Sequence, residues 1–322
     1  MEKNLVSVII PTYKRTDTIL RAIYSVLNQT YSHLEAIVVN DNEPSDKYTA
    51  HVKELIKSVT DTRLKFIIQK QHMNGAAARN AGIRIAEGEY IAFLDDDDLW
   101  MPHKLELQVN LLKKMDNSWG GVGCQNFAIH KNKVIRANLP YKDGLIYEDI
   151  LLRNADVSTD AVVLRRNALD EMGYFDENLN RHQEVQLMGR FTSKYKLKLL
   201  NKYLVCVDIG DVINRPKPSK LWELKLDFFK SMEDIIETLP KNHQRRIYIM
   251  HQFELGGYEF KNGFFLKGLV NILCIVKSPV TLYYGIKKIV KRYIAGKFCK
   301  SLVNKDVKMD SLMQILKVGE DL

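Results

Sequence analysis

Residues 74–100 read NGAAARNAGIRIAEGEYIAFLDDDDLW. Small residues dominate a helix predicted over residues 76–86, and a buried strand is predicted over residues 90–94. Four aspartates at positions 95–98 follow that strand directly. Because ligands bind beyond the carboxyl ends of parallel strands, the segment predicts both an α/β fold and a binding site.

The residues before this segment repeat the alternation of strand and helix. Apolar runs at residues 5–10, 35–40 and 64–68 read as buried strands, and the first of them is closed by Pro11. Amphipathic stretches between the runs read as helices. The pattern predicts a Rossmann-like, mostly parallel sheet flanked by helices, with a helical extension towards the C-terminus.

Composition and charge narrow the class of protein. The chain has 322 residues and a net charge of +9, with 28 basic and 28 acidic residues in 1–214 but 20 basic against 11 acidic in 215–322. The four cysteines form no CxxC pair, which disfavours a disulfide framework or a zinc cluster. The N-terminus does not resemble a signal peptide, and no apolar run reaches the roughly 18 residues that span a bilayer. We therefore expect a cytoplasmic protein.

The aspartate run has two readings. Adjacent carboxylates repel one another, and Mn²⁺ or Mg²⁺ would relieve that repulsion because these hard cations prefer oxygen ligands. The alternative is a solvated acidic turn at the start of the helix expected near Pro102. Its place after a buried strand favours the metal site.

The motifs together resemble the family-two inverting glycosyltransferases, which have the glycosyltransferase-A fold. The similar segments are VSVIIPTYKR, LNQTY, AIVVNDNEPSD and residues 74–100, in this order. They cover about the first hundred residues. The resemblance implies a hexosyltransferase that moves a sugar from a nucleotide-diphosphate donor, a UDP-sugar, to a hydroxyl of a glycan or a lipid-linked saccharide.

The resemblance also implies roles for residues of the first half. Pro11, Thr12 and Tyr13 would cradle the nucleotide base, and Tyr13 would offer a ring for stacking. Asp41 would accept a hydrogen bond from the base. Arg79 would lie near the base or the diphosphate, where its guanidinium suits phosphate oxygens.

Within the aspartate run, Asp95 and Asp97 match the ends of the family's DxD motif. By resemblance, Asp97 would hold the divalent cation, Mn²⁺ or Mg²⁺, while Asp95 or Asp96 would contact the ribose. Asp95 is also an accessory candidate for the metal.

An inverting transfer needs a base to take the proton of the acceptor hydroxyl. Family members place a carboxylate at the start of a helix in a segment like QDxxLxxR, and Glu184 aligns with it where aspartate is commoner. His182 is a weaker candidate, as an acceptor contact. Many relatives also supply a downstream histidine to the metal, but residues 207–212 contain none, which leaves Asp208, Asp211 or water in its place.

Two other functions remain open from the sequence. One is a catalytically inactive sugar-binding or scaffold protein of the same fold, favoured if the departures at Glu184 and the missing histidine matter. The other is a nucleotidyltransferase, although the glycine-rich loop usual in those enzymes is absent from residues 11–15.

The expected organisation has three parts: a nucleotide-sugar-binding half at 1–105, an acceptor and base half of the same domain at 106–215, and a basic helical region at 216–322. Within 261–300, apolar and basic positions alternate at helical spacing. This pattern predicts contact with an anionic surface on the inner face of the plasma membrane, or else a solvated basic face packed on the core. The acceptor would then be linked to a polyprenyl diphosphate, and no nucleic acid is expected as a partner.

Overall fold

A computed structural model describes residues 1–15, 17–210 and 220–307 of the chain. Within these residues, nine strands form one sheet with helices on both faces. The strands are β1 (Glu2–Thr12), β2 (Leu34–Asn40), β3 (Leu64–Ile68), β4 (Gly88–Phe93), β5 (Leu99–Trp100), β6 (Trp119–His130), β7 (Lys133–Ala137), β8 (Val162–Arg165) and β9 (Lys196–Asp208).

The helices divide between the sheet and a C-terminal bundle. Those of the sheet layers are α1 (Ile19–Leu27), α2 (Lys47–Lys57), α3 (Gly75–Ile85), α4 (Lys104–Leu112), α5 (Tyr147–Leu151), α6 (Arg166–Met172) and α7 (Gln183–Lys194). Those that follow are α8 (Leu221–Ser231), α9 (Glu233–Glu237), α10 (Lys241–Lys261), α11 (Phe265–Leu273), α12 (Pro279–Lys297) and α13 (Cys299–Val303).

The sheet brings distant chain segments to one edge. Its strand order is β3-β2-β1-β4-β8-β6-β9-β5, with β7 paired to β6. Strands β1 to β4 run parallel, β8 is antiparallel to both β4 and β6, and β9 is parallel to β6. The carboxyl ends of β1, β2, β4 and β9 therefore share an edge with the start of β8. The expected α/β class is confirmed, and the structure adds antiparallel strands in the second half.

Burial on both faces explains the unbroken apolar runs of the first strands. Val8 and Ile10 of β1 pack with α1 and α4 in one core, whereas Ile9 packs with α3 in the core on the opposite face. A strand covered on both sides has no polar face, so its sequence does not alternate.

Helix α3 lies unusually close to the sheet. A Cβ added to Gly82 would lie 2.5 Å from Ile9 Cγ2 and 3.2 Å from Val39 Cγ2. Asn74 caps the helix by accepting a hydrogen bond from the Ala77 N–H at 3.0 Å. This close contact fixes the side chains that α3 presents at the carboxyl edge.

In the basic segment of the C-terminal helices, one lysine turns inward and the apolar side chains turn outward. Lys288 of α12 is buried, whereas Ile286, Ile289 and Tyr293 of the same helix are exposed. The apolar side of α12 thus does not pack on the core. Among the described residues, no helix is both long and apolar enough to cross a membrane.

We expect Gly82→Ala to lower the free energy of unfolding by about 1–3 kcal/mol, since the new methyl group would overpack the contact with the stiff, β-branched Ile9. The matched control is Gly257→Ala in α10, where a Cβ meets nothing within 4 Å. That control should gain up to about 1 kcal/mol from helix propensity. Urea unfolding measures both, and equal midpoints for the two variants would contradict the close packing of α3.

Candidate active site

Three carboxylates meet where β4 ends. Asp95, Asp97 and Asp98 place one oxygen each within 4.8 Å of one another. Asp95 and Asp97 are partly exposed and Asp98 is buried. The run follows β4 because the strand delivers its last residues to the edge of the sheet, and a turn closed by the Asp98 N–H on the Asp95 carbonyl (3.1 Å) folds the side chains together.

Arginines from three separate elements balance this charge. Arg15, after β1, contacts Asp97 at 2.7 Å and Asp96 at 3.4 Å. Arg79 of α3 is buried and forms an ion pair with Asp95. From α1, Arg21 donates to the Asp97 carbonyl at 3.2 Å.

Burial nevertheless leaves the carboxylates short of positive charge. It raises the pKa of Asp96 to about 7, with the Thr12 hydroxyl and Arg15 opposing the shift. Burial and the charge of Asp95 raise the pKa of Asp97 to about 6. Groups in this state gain from an added cation, which restores the ionised form.

A fifth aspartate completes the cluster, and the sequence analysis missed it. Asp160 lies in a short 3₁₀ turn before β8 and accepts a hydrogen bond from the Asp95 N–H at 3.1 Å. Burial raises the pKa of both Asp98 and Asp160 well above the usual range, and their neighbouring charges add to the shift. Asp98 stands in the visible run, whereas the sequence around Asp160 carries no signal for this role.

The expected base, Glu184, lies in the first turn of α7, which is attached to α3 through the preceding loop. Asn80 donates to the Phe175 carbonyl at 2.9 Å and accepts from the Phe175 N–H at 3.0 Å. Asn74 donates to the Glu177 carbonyl at 2.8 Å. Two asparagines of α3 thereby set the position at which α7 begins.

Glu184 interacts electrostatically with the aspartate cluster. Burial and the charge of Asp95 raise the pKa of Glu184, while Arg79 and the exposed Arg181 lower it. Burial would lower the pKa of Arg79, but the charges of Asp95, Glu184 and Asp160 raise it overall. Arg79 therefore interacts with both the DxD carboxylates and the predicted general base.

The residues predicted to bind the nucleobase of the donor lie at the ends of β1 and β2. Pro11 and Thr12 are the last residues of β1, and the ring of Tyr13 stacks on His72 with centroids 3.9 Å apart. Asp41 accepts from the Met73 N–H at 3.0 Å and contacts His72 Nδ1 at 2.9 Å. Burial raises the pKa of Asp41, although these donors oppose the shift. Among these partners, His72 was not singled out by the sequence analysis.

The accessory candidates separate into two groups. Asp208, at the end of β9, pairs with Arg21 at 3.0 Å and donates its N–H to Asp98 Oδ1 at 3.1 Å, which places it beside the cluster. His182 instead faces the C-terminal helices, with its ring 5.5 Å from that of Phe228. Burial lowers the pKa of His182 to about 3, so its ring is neutral. Asp211 lies outside the described residues.

The residues present suit a hard divalent cation. The converging ligands are all carboxylate oxygens, which Mg²⁺ and Mn²⁺ prefer. The orphaned buried oxygen Asp96 Oδ2 has no hydrogen-bond partner beside them. Asp95, Asp97 and Asp98 could therefore hold the ion, with Asp208 next to them.

Relatives of known name share most of the chain. A sequence identity of 28% links 82% of this chain to 99% of UDP-Glc:alpha-D-GlcNAc-diphosphoundecaprenol beta-1,3-glucosyltransferase WfgD of Escherichia coli. WfaP, named for the same activity in Escherichia coli, is 31% identical over 53% of this chain and 64% of its own length.

Solved structures agree on the fold. The crystal structure of S. aureus TarS 1-349 in complex with UDP-GlcNAc superposes with a TM-score of 0.61 at 16% identity. The match covers 92% of this chain and 91% of that one. This likeness confirms the glycosyltransferase-A-type fold.

The family model described as "Glycosyl transferase family 2" matches residues 7–173, which include β1 to β8 and the aspartate cluster. The matched segment is more than half of the chain, and its relatives are named glycosyltransferases. The chain therefore belongs to glycosyl transferase family 2 and is a glycosyltransferase.

Proposed function

We propose that this protein is an inverting glycosyltransferase that moves a sugar from a UDP-sugar to a hydroxyl of a saccharide linked to a polyprenyl diphosphate. The observation that carries the proposal is the ion pair of Arg79 with Asp95, together with the electrostatic interaction of Arg79 with Glu184. Two relatives named for a UDP-Glc donor and a diphosphoundecaprenol acceptor support the substrate classes. We also propose the division into a donor half (1–105), an acceptor half (106–215) and a basic helical region (216–322).

The donor would lie along the carboxyl edge of the sheet. Tyr13 and His72 already stack, so a nucleobase would either extend this stack or displace His72 from it. Asp41 would then accept a hydrogen bond from the base. Arg79 would lie near the diphosphate, and Asp95 or Asp96 would bind the ribose.

Glu184 would act as the general base in a single displacement. Its pKa is raised by burial and by Asp95, which makes it a stronger proton acceptor than a solvated glutamate. A divalent cation at Asp97, Mn²⁺ or Mg²⁺, would supply positive charge to the diphosphate as it leaves. Arg79 would hold its guanidinium in place through Asp95 and need not reorganise during the reaction.

Replacement of the base tests the mechanism. We expect Glu184→Gln to retain donor binding and to lower kcat by about 10²–10⁴-fold, because a positioned base typically contributes that factor. Turnover would be followed with a panel of UDP-, GDP- and dTDP-sugars in the presence of Mn²⁺. Glu171→Gln, on the exposed surface of α6, is the control and should keep wild-type turnover. Normal transfer by Glu184→Gln would refute the assignment of the base.

Removal of one carboxylate tests the cation site. Asp97→Asn should weaken UDP-sugar binding in Mn²⁺ by about 10-fold or more, because a charge-assisted contact is lost, and should change binding in EDTA little. Isothermal titration with and without Mn²⁺ measures the difference, and the exposed Asp116→Asn serves as the control. Unchanged Mn²⁺-dependent binding would remove Asp97 from the site.

We further propose that the C-terminal helices rest on an anionic membrane surface. These helices and the residue before α11 expose large apolar side chains, which we call the outer apolar face: Phe264, Phe265, Leu266, Leu269, Val270, Leu273, Ile286, Ile289, Val290 and Tyr293. Exposed apolar patches of this extent mark interaction sites. Exposed Lys267 and Lys277 border the face, as is typical of helices that lie in the interface of an anionic bilayer.

Vesicle flotation tests this membrane contact. The wild type should float with vesicles that contain anionic phospholipid and less so at high salt, because surface charges are screened. Leu266→Ser/Val270→Ser should weaken binding about 10-fold or more, since each buried aliphatic side chain contributes about 1.5–3 kcal/mol. Leu145→Ser, at a residue that is 50% exposed outside this face, is the control. An absence of wild-type binding to both neutral and anionic vesicles would end the proposal.

A further inference from the structure

Four cations surround a single carboxylate between the catalytic half and the C-terminal helices. Glu254 of α10 contacts Lys288 at 2.6 Å and Arg153 at 3.2 Å. Lys225 and Arg292 complete the set at 3.6 Å and 3.7 Å. We call these four basic residues with Glu254 the cationic cluster. Arg153 follows α5, whereas the other members come from α8, α10 and α12.

The cationic cluster carries more positive charge than its own acid balances. The side chains of Lys225 and Lys288 are only 5% and 8% exposed. Burial lowers the pKa of each lysine to about 8, and the charge of Arg153 adds to that shift while Glu254 opposes it. Asp156 acts on Arg153 only as a further, weaker charge. An anion bound here would therefore be stabilised by four cations that share a single carboxylate.

The cluster lies beside the segment that holds the predicted base. Lys225 Nζ is 3.1 Å from Nδ1 of His251, whose ring centroid is 6.4 Å from that of His182. His182 caps α7 two residues before Glu184, and Nε2 of His182 is buried without a partner. Arg153 and Glu184 also act on each other electrostatically. The cluster thus adjoins the start of α7, where the predicted general base lies.

The cluster also adjoins the proposed membrane surface. Lys288 and Arg292 belong to α12, and Lys288 reaches inward to the Arg153 carbonyl at 3.3 Å. The neighbouring side chains Ile289 and Tyr293 point outward and are more than half exposed. A lipid-linked ligand held at the cluster would therefore lie next to the exposed apolar side of α12.

We infer that the cationic cluster binds the diphosphate of the lipid-linked acceptor, an inference that rests on the proposed function. In such an acceptor one sugar ring separates the reacting hydroxyl from the diphosphate, and the lipid continues from the other phosphate. Arg153 and Arg292 can each present a planar fork of N–H donors to phosphate oxygens, and the lysines add point charges. Glu254 holds the four cations in position before the acceptor arrives.

The competing role is structural, because the same contacts join the C-terminal helices to the catalytic half. Arg292 separates the two roles well, since its side chain is 62% exposed and its loss should not unfold the protein. Lys225→Gln probes the buried part of the cluster. Lys230→Gln, an exposed lysine on the same helix as Lys225, matches the change of charge outside the cluster.

The experiment compares two soluble acceptors with the same sugar, in the absence of vesicles. One is GlcNAc-diphosphate with a short alkyl chain, and the other is an alkyl GlcNAc glycoside without the diphosphate. Steady-state kinetics give KM for each acceptor, and isothermal titration gives the affinity of each without transfer. Thermal unfolding reports the integrity of every variant.

We expect the wild type to bind the diphosphate acceptor more tightly than the glycoside. Arg292→Gln should raise KM for the diphosphate acceptor relative to the glycoside by about 10-fold, since a hydrogen bond to a charged group is lost. Lys225→Gln should act in the same direction, Arg292→Lys should recover part of the loss, and Lys230→Gln should leave the ratio unchanged.

Equal affinities of the wild type for both acceptors would overturn the inference, as would equal losses for both acceptors in Arg292→Gln. These results would leave the proposed transfer reaction intact. If the wild type transferred sugar to neither acceptor, the proposed acceptor class would fail instead, and the titrations would still decide whether the cluster selects a diphosphate.

Discussion

The repulsion among carboxylates at the end of β4 is the constraint on which the rest of the site depends. Asp95, Asp97 and Asp98 converge within 4.8 Å, and like charges so close raise one another's free energy. Arginines from three different elements contact the aspartate run and offset part of this repulsion. The loop after β1 and the helices α1 and α3 each supply one of these arginines, so the charge of the cluster is compensated only when all three elements are packed on the sheet.

The arginines do not fully compensate the negative charge of the aspartates, so the site can still accept a cation. Burial raises the pKa of Asp97, Asp98 and Asp160, and neighbouring carboxylates add to each shift. Arg79 forms an ion pair with Asp95 and also interacts electrostatically with Glu184. It therefore links the proposed donor-binding residues to the predicted general base. The cationic cluster shows the opposite imbalance on the other side of His182. The aspartate cluster, with an excess of negative charge, and the cationic cluster, with an excess of positive charge, both lie near the start of α7.

Sequence reasoning succeeded where local pattern and tertiary structure agree. The strand at residues 64–68 and the helix predicted over residues 76–86 match β3 and α3 closely, because buried runs and small-residue spacing are local signals. Asp160 could not be found, since its role arises only when β8 pairs antiparallel to β4. The burial of Lys288 could not be predicted from the sequence either. Helical periodicity distinguishes an apolar side from a basic side, but the ion pair with Glu254 on another helix determines that Lys288 is buried. The assignments of Glu184 and of the donor-binding residues stay predictions.

The exposed phenylalanine, leucine and valine side chains of α11 affect how the isolated protein behaves in dilute buffer. Leu266 is 83% and Val270 68% accessible, and water at such side chains favours any contact that covers them. In the absence of lipid, a second copy of the protein can cover these side chains, so we expect concentrated preparations to self-associate unless detergent micelles compete. Catalytic rates recorded without an amphiphile would then describe oligomers, and they should vary with the amount of protein in the assay.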